Sequence, residues 1–157
     1  MPTGSASTEI DRQPDEVWAA IADVTRIGEW SPECLAARWV GGATGPAVGA
    51  RFEGDNAVKI AGRTVKKWTT TSEVTAAEPG KRFEFLAEGY TTWRYELEPT
   101  ATGTGTIVTE SFEHKAATGF QGFVHSTLLR REAGLTKAMQ RTLERLKASL
   151  ERGPAGA

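Results

Sequence analysis

Two carboxylates and one imidazole are the side chains in this sequence best placed to move a proton. Glu110 shares the parity of Val108, Phe112 and His114 along an alternating run, so its carboxyl faces the same side as two large apolar groups. On a helical wheel of the last amphipathic segment, Glu132 lies about 40° from the centre of the apolar stripe and His125 about 60° from it. A carboxyl desolvated among apolar groups is pushed above its ordinary pKa and becomes an acid or base unless a cation or donor pairs with it. An imidazole at a cavity mouth can shuttle protons. Glu110, Glu132 and His125 are therefore the candidate catalytic residues. A β-bulge turning Glu110 outward, or an ion pair of Glu132 with Arg131 or a strand-borne arginine, would remove that role, and His125 would then be a boundary residue.

Other chemistries find little support. Cys34, which follows Trp30-Ser31-Pro32-Glu33, has only Arg38 as a nearby basic neighbour, and only the fold could bring His114 or His125 to it. Two histidines and one cysteine match no compact metal motif, so no metal is expected. Neither Gly41-Gly42 nor the stretch from Gly103 to Gly105 leads to a Gly-Lys-Ser/Thr, so no phosphate loop and no cofactor are expected. The single cysteine also excludes an internal disulfide and points to a reducing cytoplasm. Residues 1–8 carry neither a basic start nor an apolar stretch, so no secretory signal is expected. Apolar runs of a few residues fall far short of the roughly 20 that cross a bilayer, which excludes integral membrane contact.

Net charge is −1, unevenly spread: residues 1–57 hold 4 basic and 9 acidic side chains, residues 115–157 hold 8 and 3. The C-terminal cations are interspersed with Glu132, Glu144 and Glu151 and read as a solvated helix back, so no nucleic-acid partner is expected.

The elements that must position these residues follow from periodicity. Residues 5–10 alternate as a short strand. Pro14, with Asp15 and Glu16 in the first turn, starts a helix whose apolar face is Val17, Ala20, Ile21 and Val24. Thr25 caps a second short helix through Ile27 and Trp30, which Pro32 stops. Strands follow over 35–40, 51–56, 67–76, 82–86, 91–97 and 104–114, with 41–49 a glycine-rich connection and 57–66 a strand edge or a loop. Pro79-Gly80 suits the centre of a type II turn. From 120 to 151 no proline intervenes, and Val124, Leu128, Leu135, Met139, Leu146 and Leu150 line one face opposite Arg130, Lys137 and Arg141. The 157 residues suit one domain, 5–151, with flexible termini at 1–4 and 152–157.

This order makes an α+β fold in which a curved antiparallel sheet of about seven strands wraps the long C-terminal helix. Strand parity turns Phe52 and Asn56, Trp68, Trp93 and Tyr95, and Val108 and Phe112 inward, where they meet Leu128, Leu135 and Met139 of the stripe; Trp30 joins them from the second helix. These are the candidate ligand-binding residues. Their mixture of aromatic and polar groups fits a ligand pocket better than a packed core; the alternative is that Trp68, Trp93 and Tyr95 fill a core with their polar tips satisfied.

Six segments carry a family resemblance: Pro14-Asp15-Glu16-Val17-Trp18, Ile27 through Pro32, Val48-Gly49-Ala50-Arg51-Phe52, Val74 through Phe83, Trp93-Arg94-Tyr95-Glu96-Leu97, and Thr142 through Lys147. In their order along nearly the whole chain they resemble the START-like (SRPBCC) superfamily, specifically its bacterial polyketide cyclase/dehydrase branch. The resemblance implies a helix-grip fold with a cavity between sheet and last helix, used across the superfamily for lipids, sterols, polyketides and plant hormones by binding proteins, lipid carriers, aromatase/cyclases and chaperone cofactors. Fold alone does not select among these. The expectation is a cytoplasmic monomer or homodimer that binds a small, mostly apolar molecule. The alternative is a cyclase or dehydratase, a lyase or isomerase acting on a carbonyl substrate through a cavity acid or base.

Overall fold

In a computed structural model the described residues are 3–115 and 120–152, with the side chains of residues 3, 120–133 and 135 outside the description. Among them β1 (Thr3–Ile10) is followed by α1 (Pro14–Ala22) and a 3-10 helix (Val24–Glu29). Six strands come next: β2 (Cys34–Val40), β3 (Arg51–Ile60), β4 (Arg63–Glu78), β5 (Arg82–Ala87), β6 (Thr91–Pro99) and β7 (Thr106–His114). The chain then forms α2 (Phe120–Arg152). The strands make one antiparallel sheet in the order β1-β7-β6-β5-β4-β3-β2, so every pair except β1–β7 is a sequential hairpin. Register shifts at Cys34/Ala36 and Val74/Ala76 bend it around the helix, and a third, at Val58/Lys59, lies in the outer part of the β3–β4 pair. This is the helix-grip architecture.

Local chemistry explains most boundaries. Pro14 opens α1 with its φ already helical, and Asp15 and Glu16 meet the positive end of the helix dipole. Asp23, not Thr25, caps the 3-10 helix: its carboxylate accepts from the Thr25 amide at 3.1 Å and from the Thr25 hydroxyl. The expected cap is thus corrected: the helix starts at Val24, which puts Asp23 at the N-cap and Thr25 inside the first turn. Gly80 takes φ +74° in the turn between β4 and β5. Residues 57–66, left between strand and loop by their sequence, extend β3 and β4 into one long hairpin that turns at Ala61-Gly62. β1 already pairs at Thr3, opposite Glu113, and α2 includes Arg152, so the ordered elements reach past 5–151 at both ends.

The core gathers Ile10, Val17, Ile21, Val24, Trp30, Phe83, Leu97 and Val108 with Leu143 and Leu146 of α2. Leu143, absent from the expected stripe, is fully buried, as are Met139 and Leu146, so the buried face of α2 is wider than a single line. Lys147 fastens the helix to the sheet by donating to the Glu9 carbonyl at 2.6 Å and to Glu151 at 2.7 Å, while Glu151 accepts from the Asp11 amide at 2.8 Å.

Candidate functional site

Between the concave face of the sheet and α2 lies a cavity of about 380 Å³. In the β6–β7 register Tyr95 stands opposite Glu110, so the two side chains emerge on the same face. The Tyr95 hydroxyl donates to Glu110 Oε2 at 2.9 Å. Glu110 Oε1 is buried and has no hydrogen-bond partner among the described residues. Burial lifts the Glu110 carboxyl to about 8, with the bond from Tyr95 opposing it, and the Tyr95 phenol is pushed well above its ordinary value by burial and by Glu110. Near neutral pH the carboxyl therefore keeps its proton. With Oε2 occupied as acceptor, that proton sits on Oε1, which becomes a donor with no acceptor among the described residues.

Around this pair the wall is partly aromatic. Trp93 packs at 5.6 Å from Phe112, and His114 stacks on Tyr90 at 5.2 Å while its Nδ1 bonds the Thr91 hydroxyl at 2.9 Å. Asn56 is held by its amide nitrogen, which donates to the Gly54 carbonyl and the Thr70 hydroxyl at 3.1 Å each. The Cys34 thiol reaches the Ala36 carbonyl at 3.5 Å and is pushed up to about 11 by burial, so it stays protonated and is no nucleophile near neutral pH. Among the described residues no group of three or more His, Cys, Asp or Glu side chains is arranged to hold a metal ion. A larger, open concavity of about 710 Å³ lies at residues 40–51, lined mostly by glycine and alanine and offering only Thr44 and Arg51 as polar side chains.

Of the residues singled out in the sequence, Phe52, Asn56, Trp68, Trp93, Tyr95, Glu110 and Met139 line the cavity. Trp30, Val108 and Phe112 do not: they are buried in packing contacts, Phe112 against the wall residues Trp93 and His114. Parity sets the face of a strand residue but not what covers it: Val108 lies in one cluster with Leu143 and Leu146 of α2, Phe112 packs against Trp93 and His114, and Trp30, at the end of the 3-10 helix, follows no strand parity. Glu132, His125, Leu128 and Leu135 belong to the part of α2 whose side chains lie outside the description. Tyr90, Thr91, Phe85, His114 and Thr142 also line the cavity. His114 shares the inward parity of Glu110, and Thr142 lies one turn beyond Met139, so those two had a signal; Tyr90, at a turn, had none.

The family model described as polyketide cyclase / dehydrase and lipid transport matches residues 1–151. The polyketide cyclase-like protein Cgl2372 from Corynebacterium glutamicum is 33% identical over 96% of this chain and 94% of its own, with a TM-score of 0.63. Protein MLL2253 from Mesorhizobium loti shares the fold at 20% identity and a TM-score of 0.67, covering 98% of this chain and 99% of its own. BexL, a di-domain aromatase/cyclase of the BE-7585A biosynthetic pathway, shares it at 15% identity and a TM-score of 0.66; 98% of this chain corresponds to 48% of that one. No curated protein matches significantly. Among the described residues no helix is long and apolar enough to cross a membrane.

Proposed function

This chain belongs to the polyketide cyclase/dehydrase and lipid transport family, and on that premise we propose that it binds a small, mostly apolar molecule whose one hydrogen-bond acceptor, such as a ketone oxygen, accepts a hydrogen bond from the protonated Glu110 carboxyl. The observation that carries the reading is Oε1 of Glu110, a buried polar atom in the cavity wall without a partner among the described residues. Leaving such an atom unsatisfied costs about 1–3 kcal/mol, which a ligand acceptor would recover. Phe52, Trp93 and Met139 supply apolar area, and a volume of about 380 Å³ falls within the roughly 300–1,000 Å³ range of small-molecule sites.

An apolar naphthalene dye should bind saturably and be displaced at least tenfold more strongly by an aromatic ketone than by the hydrocarbon lacking its oxygen. Ten-fold corresponds to about 1.4 kcal/mol. Glu110→Leu should erase that preference, and Glu110→Gln, whose amide still donates, should keep most of it. No saturable binding, or no preference for the ketone, overturns the reading.

A second reading has its own support in the 2.9 Å contact between a protonated carboxyl and a phenol in the cavity wall. Glu110 would give its proton to a carbonyl oxygen, or to a departing hydroxyl, while a base on the ligand or the wall takes the α-proton. BexL, an aromatase/cyclase of the same fold, makes that chemistry a natural one to test. Here Glu110→Gln separates the readings: binding retained with turnover of a poly-β-ketone analogue lost supports catalysis, and turnover unchanged excludes Glu110 as the acid.

A further inference from the structure

We propose that the β3–β4 hairpin is a peripheral docking surface for an anionic lipid bilayer. β2 pairs with β3 only as far as Asn56, and β5 pairs with β4 only from Ser72 onward. Beyond those points β3 and β4 continue as a two-stranded ribbon, Val58 opposite Lys66 and Ile60 opposite Arg63, and residues 59–67 are all exposed. Such a ribbon has no core to bury its apolar side chains. Yet Ile60 and Val65, on either side of the Ala61-Gly62 turn, are 64% and 56% exposed.

Charge points the same way. From residue 56 to 72 the chain carries Lys59, Arg63, Lys66 and Lys67 and no Asp or Glu, although the whole molecule has a net charge of −1. The acids that flank this run are paired: Asp55 with Arg38 at 2.9 Å and Glu73 with Arg51 at 3.4 Å. Aliphatic side chains at a tip, ringed by amines, match a surface whose phosphates lie above hydrocarbon. A soluble polyanion offers the phosphates but not the hydrocarbon, and Ile60 and Val65 give bases no face on which to stack. Asn56 and Trp68, at the base of the ribbon, belong to the cavity wall, so a docked hairpin brings the cavity to the bilayer. Docking does not depend on what the cavity holds, and its test succeeds or fails whatever the ligand.

Flotation of the full chain with phosphatidylcholine vesicles, and with vesicles one third phosphatidylglycerol, tests this. The protein should float with the anionic vesicles at least tenfold more tightly than with the neutral ones, and lose that binding at high salt. Each amine near an anionic surface raises affinity about fivefold, so Lys66→Gln/Lys67→Gln should weaken binding roughly 30-fold. Ile60→Ser/Val65→Ser leaves the net charge unchanged and should still weaken it tenfold or more, with circular dichroism melts and dye binding in the cavity showing that the fold persists. Equal binding to neutral vesicles, no vesicle binding, or an undiminished serine variant overturns the proposal. So does an RNA oligonucleotide binding the parent and the serine variant as tightly as the anionic vesicles bind, which would make the hairpin a polyanion site.

Discussion

Glu110 is a group whose folded state holds a proton that its unfolded state releases. With its carboxyl lifted from 4.5 to about 8, both states are protonated in strong acid. Between these two values only the folded state keeps the proton, so folding takes one up and stability falls as pH rises; above about 8 the slope disappears. The full effect approaches about 5 kcal/mol. Glu110→Gln removes the titration, so urea melts at pH 5 and pH 8 should show the variant gaining several kcal/mol on the parent at the higher pH. A parallel pH course for the two proteins would return Glu110 to the ordinary carboxylate range. Trp93 makes the complementary case. Half-buried in the cavity wall against Phe112, it touches fewer atoms than a core ring. Trp93→Ala should therefore destabilise by less than the roughly 3–5 kcal/mol of a packed aromatic while weakening dye binding about tenfold. A large stability loss with unchanged dye affinity would make it ordinary core.

At the scale of elements, α2 is held by a few side chains. Leu143 and Leu146 have no exposed surface and lie in the same cluster as Ile10, Val108 and Leu97. Leu143→Ala should cost about 2–5 kcal/mol, whereas Arg141→Ala on the exposed back of the helix should stay within about 0.5 kcal/mol. Equal losses in denaturant melts would mean that the helix is not gripped by this face. The 3-10 helix depends on a glycine for a different reason. A Cβ at Gly28 would run into the carbonyl oxygen of Leu35, a backbone atom that no rotamer change can move. Gly28→Ala should cost about 1–3 kcal/mol and, because Ile27, Ser31 and Cys34 line the cavity, should lower dye affinity as well. Stability and affinity both unchanged would show that this junction yields freely.

For the molecule as a whole, a ligand that enters only the folded cavity stabilises it by mass action, about 2.7 kcal/mol at a hundred times its dissociation constant. For a chain of this size that raises the melting temperature by roughly 5–10 °C. A melt with saturating aromatic ketone should show the shift in the parent and a smaller one in Glu110→Leu; no shift would place the ligand outside the cavity. The sequence settles the order of the elements, the face each turns inward and nearly all of their spans, with 57–66 left between strand and loop. Those properties depend on near neighbours, through the period of two along strands such as Trp93-Arg94-Tyr95 and the period of 3.6 along α2. It did not determine that Tyr95 faces Glu110 across the β6–β7 pair, since register comes from the hairpin as a unit. Nor did it separate Trp30, Val108 and Phe112, which are buried without lining the cavity, from Phe52, Trp93 and His114, which line it. That division depends on where α1 and α2 cross the sheet and where they leave it uncovered, and residues far apart in the chain decide it together.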